Sequence, residues 1–325
     1  SLSKATFTVA TLAAFRPVQI HNHQSDCGWT VLKMHTIKCV HLSTGVTMPL
    51  LGLGTFKIRG QDTVHLVLDA ALAAGYRSFD TASVYRNEED IGKSMQTLLP
   101  KYGLCRQEIF ITSKLAPKDQ GQGACREACL QSLSRLQCSY LDLFLIHWPG
   151  THKLRPEDPH HKQNRLGSWA DMEQLYEEGK VKSIGVSNFL QHHMEELMKA
   201  CSVKPAVLQI EFHPHLVQRA LLQWCQQHDV HFQAYSSLGT SNQDNKLLTD
   251  ASVQDVANRV NRTPAQVLLR WAVQQGVGVL PKSTNPNHIK ENSDIFDFEL
   301  SDQIMQELTT LSRDTHYCWD PSAVV

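Results

Sequence analysis

What this chain of 325 residues lacks removes several classes of protein at once. No C-x-x-C pair occurs among its nine cysteines, Cys27, Cys39, Cys105, Cys125, Cys129, Cys138, Cys201, Cys225 and Cys318. A chain of this length needs no disulfide staples, so reduced thiols are expected. There is no H-E-x-x-H, and His160-His161, His192-His193 and His213-Pro-His215 lack zincin spacing. No metal is expected. Neither sign of charge dominates: Lys plus Arg number 31, Asp plus Glu 32, for a net charge of −1. That balance gives no footprint for nucleic acid or an anionic membrane, and neither partner is expected. Long apolar runs are missing too. The patch Val9 to Phe15 falls far below the roughly 20 residues a bilayer span requires. Acids are scarce in residues 1–33, where Lys4, Arg16 and Lys33 face only Asp26. This segment reads as an unstructured extension ahead of Met34 in a cytoplasmic protein, a mitochondrial transit peptide being the competing reading.

What is present is rhythm. A hairpin signal, Thr36 to His41, Ser43-Thr-Gly45 and Val46 to Leu50, comes first. Short apolar runs then alternate with helical patterns. Strands are predicted at 51–55, 77–80, 108–113, 141–146, 182–186, 206–210, 231–235 and 277–280. Helices are predicted near 61–74, 87–99, 123–137, 168–179, 191–201, 217–228 and 252–275. Gly75 and Gly179 stop two of them, and Thr263-Pro264, a cap followed by proline at the first helical position, divides the last. Eight strands alternating with helices over residues 34–325 predict an α/β fold, a (β/α)8 barrel of parallel strands with the hairpin closing its bottom. The competing architecture is an open doubly wound sheet. Its dinucleotide fingerprint is not there: Gly52-Leu-Gly54-Thr-Phe-Lys57 and Gly121-Gln-Gly123-Ala-Cys-Arg126 carry a cation where the third glycine belongs.

Four polar residues fall just past or at the ends of strand-like runs: Asp80, Tyr85, Lys114 and His147. Each taken singly has a blander explanation: a turn acid, a core aromatic, a solvated cation and a buried hydrogen-bonded histidine. Together they are at home on the face of a parallel barrel that usually carries catalysis. A phenol has an ordinary pKa of about 10, and a neighbouring ammonium favours its phenolate. Tyr85 is therefore the candidate proton donor to a carbonyl oxygen, Lys114 its activator, Asp80 the group that holds Lys114, and His147 a neutral donor that orients the oxygen.

Eight ordered motifs carry a resemblance from about Met34 to Trp319. They are Gly52-Leu-Gly-Thr55, Phe79-Asp-Thr-Ala-Ser-Val-Tyr85, Ile111-Thr-Ser-Lys114, Tyr140-Leu-Asp-Leu-Phe-Leu-Ile-His-Trp-Pro149, Gly179-Lys-Val-Lys-Ser-Ile-Gly-Val-Ser-Asn-Phe189, Gln209-Ile-Glu-Phe-His-Pro214, Ala234-Tyr-Ser-Ser-Leu-Gly239 and Leu280-Pro-Lys-Ser283. In these the chain resembles the aldo-keto reductases. The resemblance implies a (β/α)8 barrel that binds NADPH across its C-terminal mouth and reduces aldehydes or ketones, working as a monomer on a small carbonyl substrate. It implies that Tyr235 stacks on the nicotinamide while Ser187, Asn188 and Gln209 hold its carboxamide. It further implies that Gly54 and Thr55 line the cofactor site and that Ser236, Leu238 and Gly239 wrap the pyrophosphate. Lys282, Ser283 and Thr284 would grip the 2′-phosphate, and Glu291 and Asn292 the adenine. Phe56, Val84 and Trp148 match the substrate wall.

One position departs from the family pattern. His288 stands where an arginine is common, and histidine, with an ordinary pKa near 6.5, is a weaker phosphate ligand at neutral pH. Reduced discrimination against NADH, sharper at lower pH, is expected. The tail Thr315 to Ser322 is short and residues 240–250 offer no aromatic anchors, which predicts an open site for aldehydes. Two other functions are carried alongside: a cofactor-binding regulatory barrel with little turnover, and a metal-dependent barrel hydrolase, for which no ligand set is apparent.

Overall fold

A computed structural model describes residues 21–22, 38–239 and 246–325. The expected extension 1–33 lies outside the described residues, except for the backbone of β1 (His21–Asn22). That short strand pairs antiparallel with β2 (Lys38–His41), which turns back into β3 (Thr47–Pro49) as the hairpin signal predicts.

Eight parallel strands follow in chain order, each hydrogen-bonded to the next. They are β4 (Leu53–Gly54), β5 (Ser78–Asp80), β6 (Phe110–Leu115), β7 (Leu143–Ile146), β8 (Ile184–Ser187), β9 (Val207–Glu211), β10 (His231–Tyr235) and β11 (Gly278–Val279). The ring closes where Gly52 N donates to Val279 O at 2.9 Å and Val279 N to Leu50 O at 2.7 Å. Strands β5 to β9 are buried along their whole length. Burial on both faces is why runs such as Leu143–Ile146 show no alternating pattern.

The helices are α1 (Gln61–Ala73), α2 (Glu88–Lys101), α3 (Ala124–Leu136), α4 (His160–Glu177), α5 (Gln191–Ala200), α6 (Arg219–Gln227), α7 (Ala251–Val260), α8 (Pro264–Gln274), α9 (Pro286–Ser293) and α10 (Asp302–Thr309). Thr263 caps α8 by accepting from Gln266 N, with Pro264 at the first position, so the break expected inside 252–275 is where the sequence puts it. Two helices went unpredicted, α9 and α10, and α4 begins at His160, earlier than the predicted 168. Its first turns, His-His-Lys-Gln-Asn, carry no apolar stripe to betray them.

The hairpin sits at the N-terminal end of the barrel. Thr44 Oγ1 and Ser183 Oγ lie 2.6 Å apart, and Ser183 immediately precedes β8. The opposite end is thereby left as the mouth. Backbones come very close inside the wall: a Cβ on Gly185 would sit 2.4 Å from Val207 O, so β8 admits no side chain there.

Candidate active site at the barrel mouth

Asp80 ends β5, Lys114 stands one residue from the end of β6, and His147 directly follows β7. Parallel strands put all three on one face. Tyr85 reaches the same place from a single 3-10 turn, Ser83–Tyr85, after β5. The structure therefore brings the four predicted residues together.

The Lys114 side chain is fully buried and its ammonium is bonded on three sides. It donates to Asp80 Oδ1 in a very short contact, to Thr81 O at 3.0 Å and to Tyr85 Oη at 3.4 Å. Gln209 Nε2 donates to the other Asp80 oxygen at 2.8 Å and to Gln233 Oε1 at 2.9 Å, so Asp80 is fixed from two directions. Burial lowers the pKa of Lys114, but Asp80, then Tyr85, more than offset this and raise it. Lys114 is a cation here.

For Tyr85 the balance falls the other way. Burial raises its pKa, Lys114 lowers it, and burial wins, leaving the phenol above its ordinary value. The expected activation by Lys114 is real in sign but does not set the resting state. Burial, with help from the Lys114 charge, pushes His147 down to about 3, so its imidazole is neutral as expected. His147 Nδ1 is buried without a partner, and its ring meets the Tyr85 ring edge-on at 5.7 Å.

On the far side of the mouth Asn188, in a left-handed conformation at φ 64°, donates to His147 O at 2.8 Å and to Ser187 Oγ at 3.1 Å. It accepts from Tyr235 Oη at 2.6 Å. Ser187, Asn188, Gln209 and Tyr235 thus form one polar floor joined to the tetrad. Ser236, at φ 51°, accepts from Gly239 N at 2.7 Å in a turn that follows β10. The partner half of the predicted polar loop, residues 240–245, lies outside the described residues.

Lys282, Ser283 and Thr284 lead into α9, whose cap is Asn285. Glu291 and the exposed His288 lie on that helix with the buried Asn292. Gly54 and Thr55 have structural duties. A Cβ on Gly54 would meet Leu280 O at 2.9 Å across the β4–β11 seam, and Thr55 Oγ1 donates to Asp80 O at 2.8 Å.

The residues predicted for the substrate wall include two aromatic side chains, Phe56 and Trp148. Phe56 and Val84 are 37% and 40% exposed, unusual for such side chains, and Phe56 packs on Tyr85 at 5.1 Å. Trp148 is half-buried. The tail does not leave this side open as expected: Trp319 folds back to meet Phe56 at 5.8 Å. Sequence reasoning read Lys57 only as a break in the dinucleotide fingerprint; it stands at φ 64°, and burial together with its charge lowers the pKa of Lys282. Among the described residues neither cation has an acidic partner. Two ammonium groups without acidic partners, Lys282 leading into a helix N-terminus, suit a phosphate-bearing ligand, so the residues present fit a dinucleotide.

The barrel thus gathers a carboxylate, an ammonium, a phenol and a neutral imidazole at one mouth. Residues 50–313 match the model of the Aldo/keto reductase family, and the chain belongs to that family. Its members generally use nicotinamide cofactors. The glyoxal reductase of Bacillus subtilis (strain 168) is 42% identical over 275 residues, 85% of this chain and 93% of that protein. The methylglyoxal reductase DkgA of Escherichia coli O157:H7 is 38% identical over 283 residues, 87% of this chain and 96% of that one. Among solved structures, the aldose reductase from Schistosoma japonicum superposes with a TM-score of 0.76 at 38% identity, over 86% of this chain and 93% of that one.

Proposed function

We propose that this protein reduces small aldehydes and α-dicarbonyls to alcohols with NADPH, Tyr85 giving the proton. The observation that carries the reading is the chain from the buried Asp80–Lys114 pair to the half-buried Tyr85, ending beside a neutral His147. The names of the glyoxal and methylglyoxal reductases, and a mouth narrowed by Phe56 and Trp319, support a small dicarbonyl.

Bound nicotinamide supplies the hydride. Everything else falls to the chain. Tyr235 offers the ring on which the nicotinamide stacks, and Ser187, Asn188 and Gln209 the polar groups for its carboxamide. Ser236, Leu238 and Gly239 form the turn that wraps the pyrophosphate. Lys282, Ser283, Thr284 and His288 receive the 2′-phosphate, and Glu291 and Asn292 the adenine. His147 orients the carbonyl; carrying its one proton on Nε2 would aim the donor at the substrate and leave Nδ1 the orphan. As charge develops on the oxygen, Tyr85 transfers its proton. Lys114 then faces a phenolate in place of a phenol, and its cation is worth most at that moment. Asp80 keeps that cation charged and fixed.

NADPH oxidation with methylglyoxal and aromatic aldehydes, wild type against Tyr85→Phe, tests this. General-acid loss should lower kcat about 10²- to 10⁴-fold with cofactor affinity unchanged. Equal rates in the two proteins would remove Tyr85 from the chemistry.

A further inference from the structure

Trp319 is 57% exposed, and an exposed ring is not held in place by its own burial. What fixes it is the main chain just before it. Tyr317 N donates to Glu211 Oε1 at 2.7 Å and Cys318 N to Glu211 Oε2 at 3.1 Å. Glu211 is 1% exposed and ends β9, with Tyr235 as its register partner on β10. A buried carboxylate thus spends both oxygens on consecutive amides of a tail more than a hundred residues away in sequence.

The clasp is built around that contact. His213 Nε2 lies 2.9 Å from Glu211 Oε1, so this nitrogen carries the hydrogen, and His316 Nδ1 stands 3.7 Å from Oε2. One turn earlier, Arg313 N and Thr315 N both donate to His215 O, at 3.2 and 3.0 Å. The His215 ring is held between Tyr317 Oη at 2.8 Å and Asp250 Oδ2 at 3.0 Å. Past Trp319 the chain is tied down again, where His193 Nε2 donates to Val324 O at 3.0 Å; Leu190 N occupies the other ring nitrogen at 3.1 Å and so fixes that tautomer.

We propose that Glu211 is a positioning residue for substrate selection: by seating the Tyr317–Cys318 amides it sets Trp319 against Phe56 and closes the aromatic side of the mouth. The proposal rests on the carbonyl-reductase reading. Glu211 touches no reacting atom. Its effect passes through Trp319 and so concerns substrates large enough to meet that ring. A bulky aromatic aldehyde feels it; methylglyoxal does not.

The test compares wild type, Glu211→Gln, Trp319→Ala and the double variant on 4-nitrobenzaldehyde and methylglyoxal, with amide exchange of the 315–319 segment as a readout that needs no turnover. Glutamine keeps the shape but puts a donor opposite one of the two amides. Exchange at Tyr317 and Cys318 should quicken, and KM for 4-nitrobenzaldehyde should rise about tenfold, the scale of one lost charge-assisted hydrogen bond, with kcat held within about twofold. KM for methylglyoxal should move less than about threefold, and Glu211→Gln should add nothing in the Trp319→Ala background, as two residues acting through one contact require. Unchanged exchange, an equal loss on both substrates, or additive effects would overturn the proposal. Should wild type reduce neither aldehyde, the reductase reading falls, while exchange still decides whether Glu211 seats the strap. If Glu211→Gln does not fold, Cys318→Pro removes one of the same donors from the tail side without entering the barrel, with the same KM split expected.

Discussion

Lys114 Nζ lies 3.4 Å from Tyr85 Oη and 5.0 Å from the centre of the Tyr85 ring, while its charge is matched by Asp80 on the opposite side. The ammonium neutralises a buried carboxylate at rest and, in the proposed reaction, would face a phenolate during proton transfer. On that proposal folding depends on the first role and catalysis on the second, so the two can be separated.

Lys114→Met should show both losses. It leaves Asp80 charged and unpaired in a site where its side chain is only 5% exposed, which costs on the order of 3–5 kcal/mol. Adding Asp80→Asn removes that orphan charge. Urea unfolding should then recover most of the stability, whereas kcat stays as low as in the single variant. A double variant as unstable as Lys114→Met would mean that the pair is not what holds this part of the mouth.

This division between fold and chemistry matches what the chain discloses in one dimension. Strands such as Leu143–Ile146 announce themselves because burial on both faces leaves only apolar residues, and the tetrad stands out as polar interruptions at their ends. The helix break at Thr263-Pro264 is legible because capping is local chemistry. Glu211 was not legible as a clasp. Its partners lie 106 and 107 residues away, and nothing in its neighbourhood distinguishes a carboxylate that binds main-chain amides from a solvated one. Lys57 escaped for the same reason: an exposed lysine acquires meaning only once folding brings it near Lys282. Short helices such as α9 and α10, eight residues each, hold too few turns to show a period.

The pH profile should separate chemistry from cofactor capture. Burial holds the Tyr85 proton above the ordinary phenol value of about 10, and His147 stays neutral above about 3. Both are in the form that reduction needs across the neutral range, so kcat for reduction should be flat there. Lys282 is different: burial and the Lys57 charge lower its pKa, so in the free enzyme it loses its proton sooner than an ordinary lysine as pH rises. On the alkaline side kcat/KM for the cofactor should therefore fall before kcat does, since the former reports the free enzyme. A fall in kcat that comes first would reverse the assignment.

Acid should destabilise the fold through its buried histidines. Burial lowers His147 and His193 to about 3 and His231 to about 4. Between those values and the unfolded value near 6.5 the unfolded chain binds protons that the native one refuses. Stability is thus complete above pH 6.5 and is lost as pH falls, by at most about 1.4 kcal/mol per pH unit for each group. His231 Nε2 is buried with no partner, so it gives nothing back for this cost. His231→Leu should flatten the decline of the urea midpoint between pH 6.5 and 4. A decline as steep as in wild type would clear His231 of the effect.

On the proposed placing of the 2′-phosphate, His288 offers the cleanest handle on cofactor choice. It is exposed on α9, a helix whose N-terminus already favours anions, and it follows Lys282, Ser283 and Thr284 by a few residues. Replacing it by arginine touches no packed surface, so stability should not change. Arginine brings a permanent charge and a two-pronged donor, and a hydrogen bond to a charged group contributes about 1.5–3 kcal/mol. The ratio of kcat/KM for NADPH over NADH should therefore rise at least about tenfold in His288→Arg, almost wholly through KM for NADPH, because NADH has no 2′-phosphate to meet the new group. An equal gain for both cofactors would mean that position 288 faces the pyrophosphate or bulk solvent, and the 2′-phosphate would then have to be sought nearer Lys57.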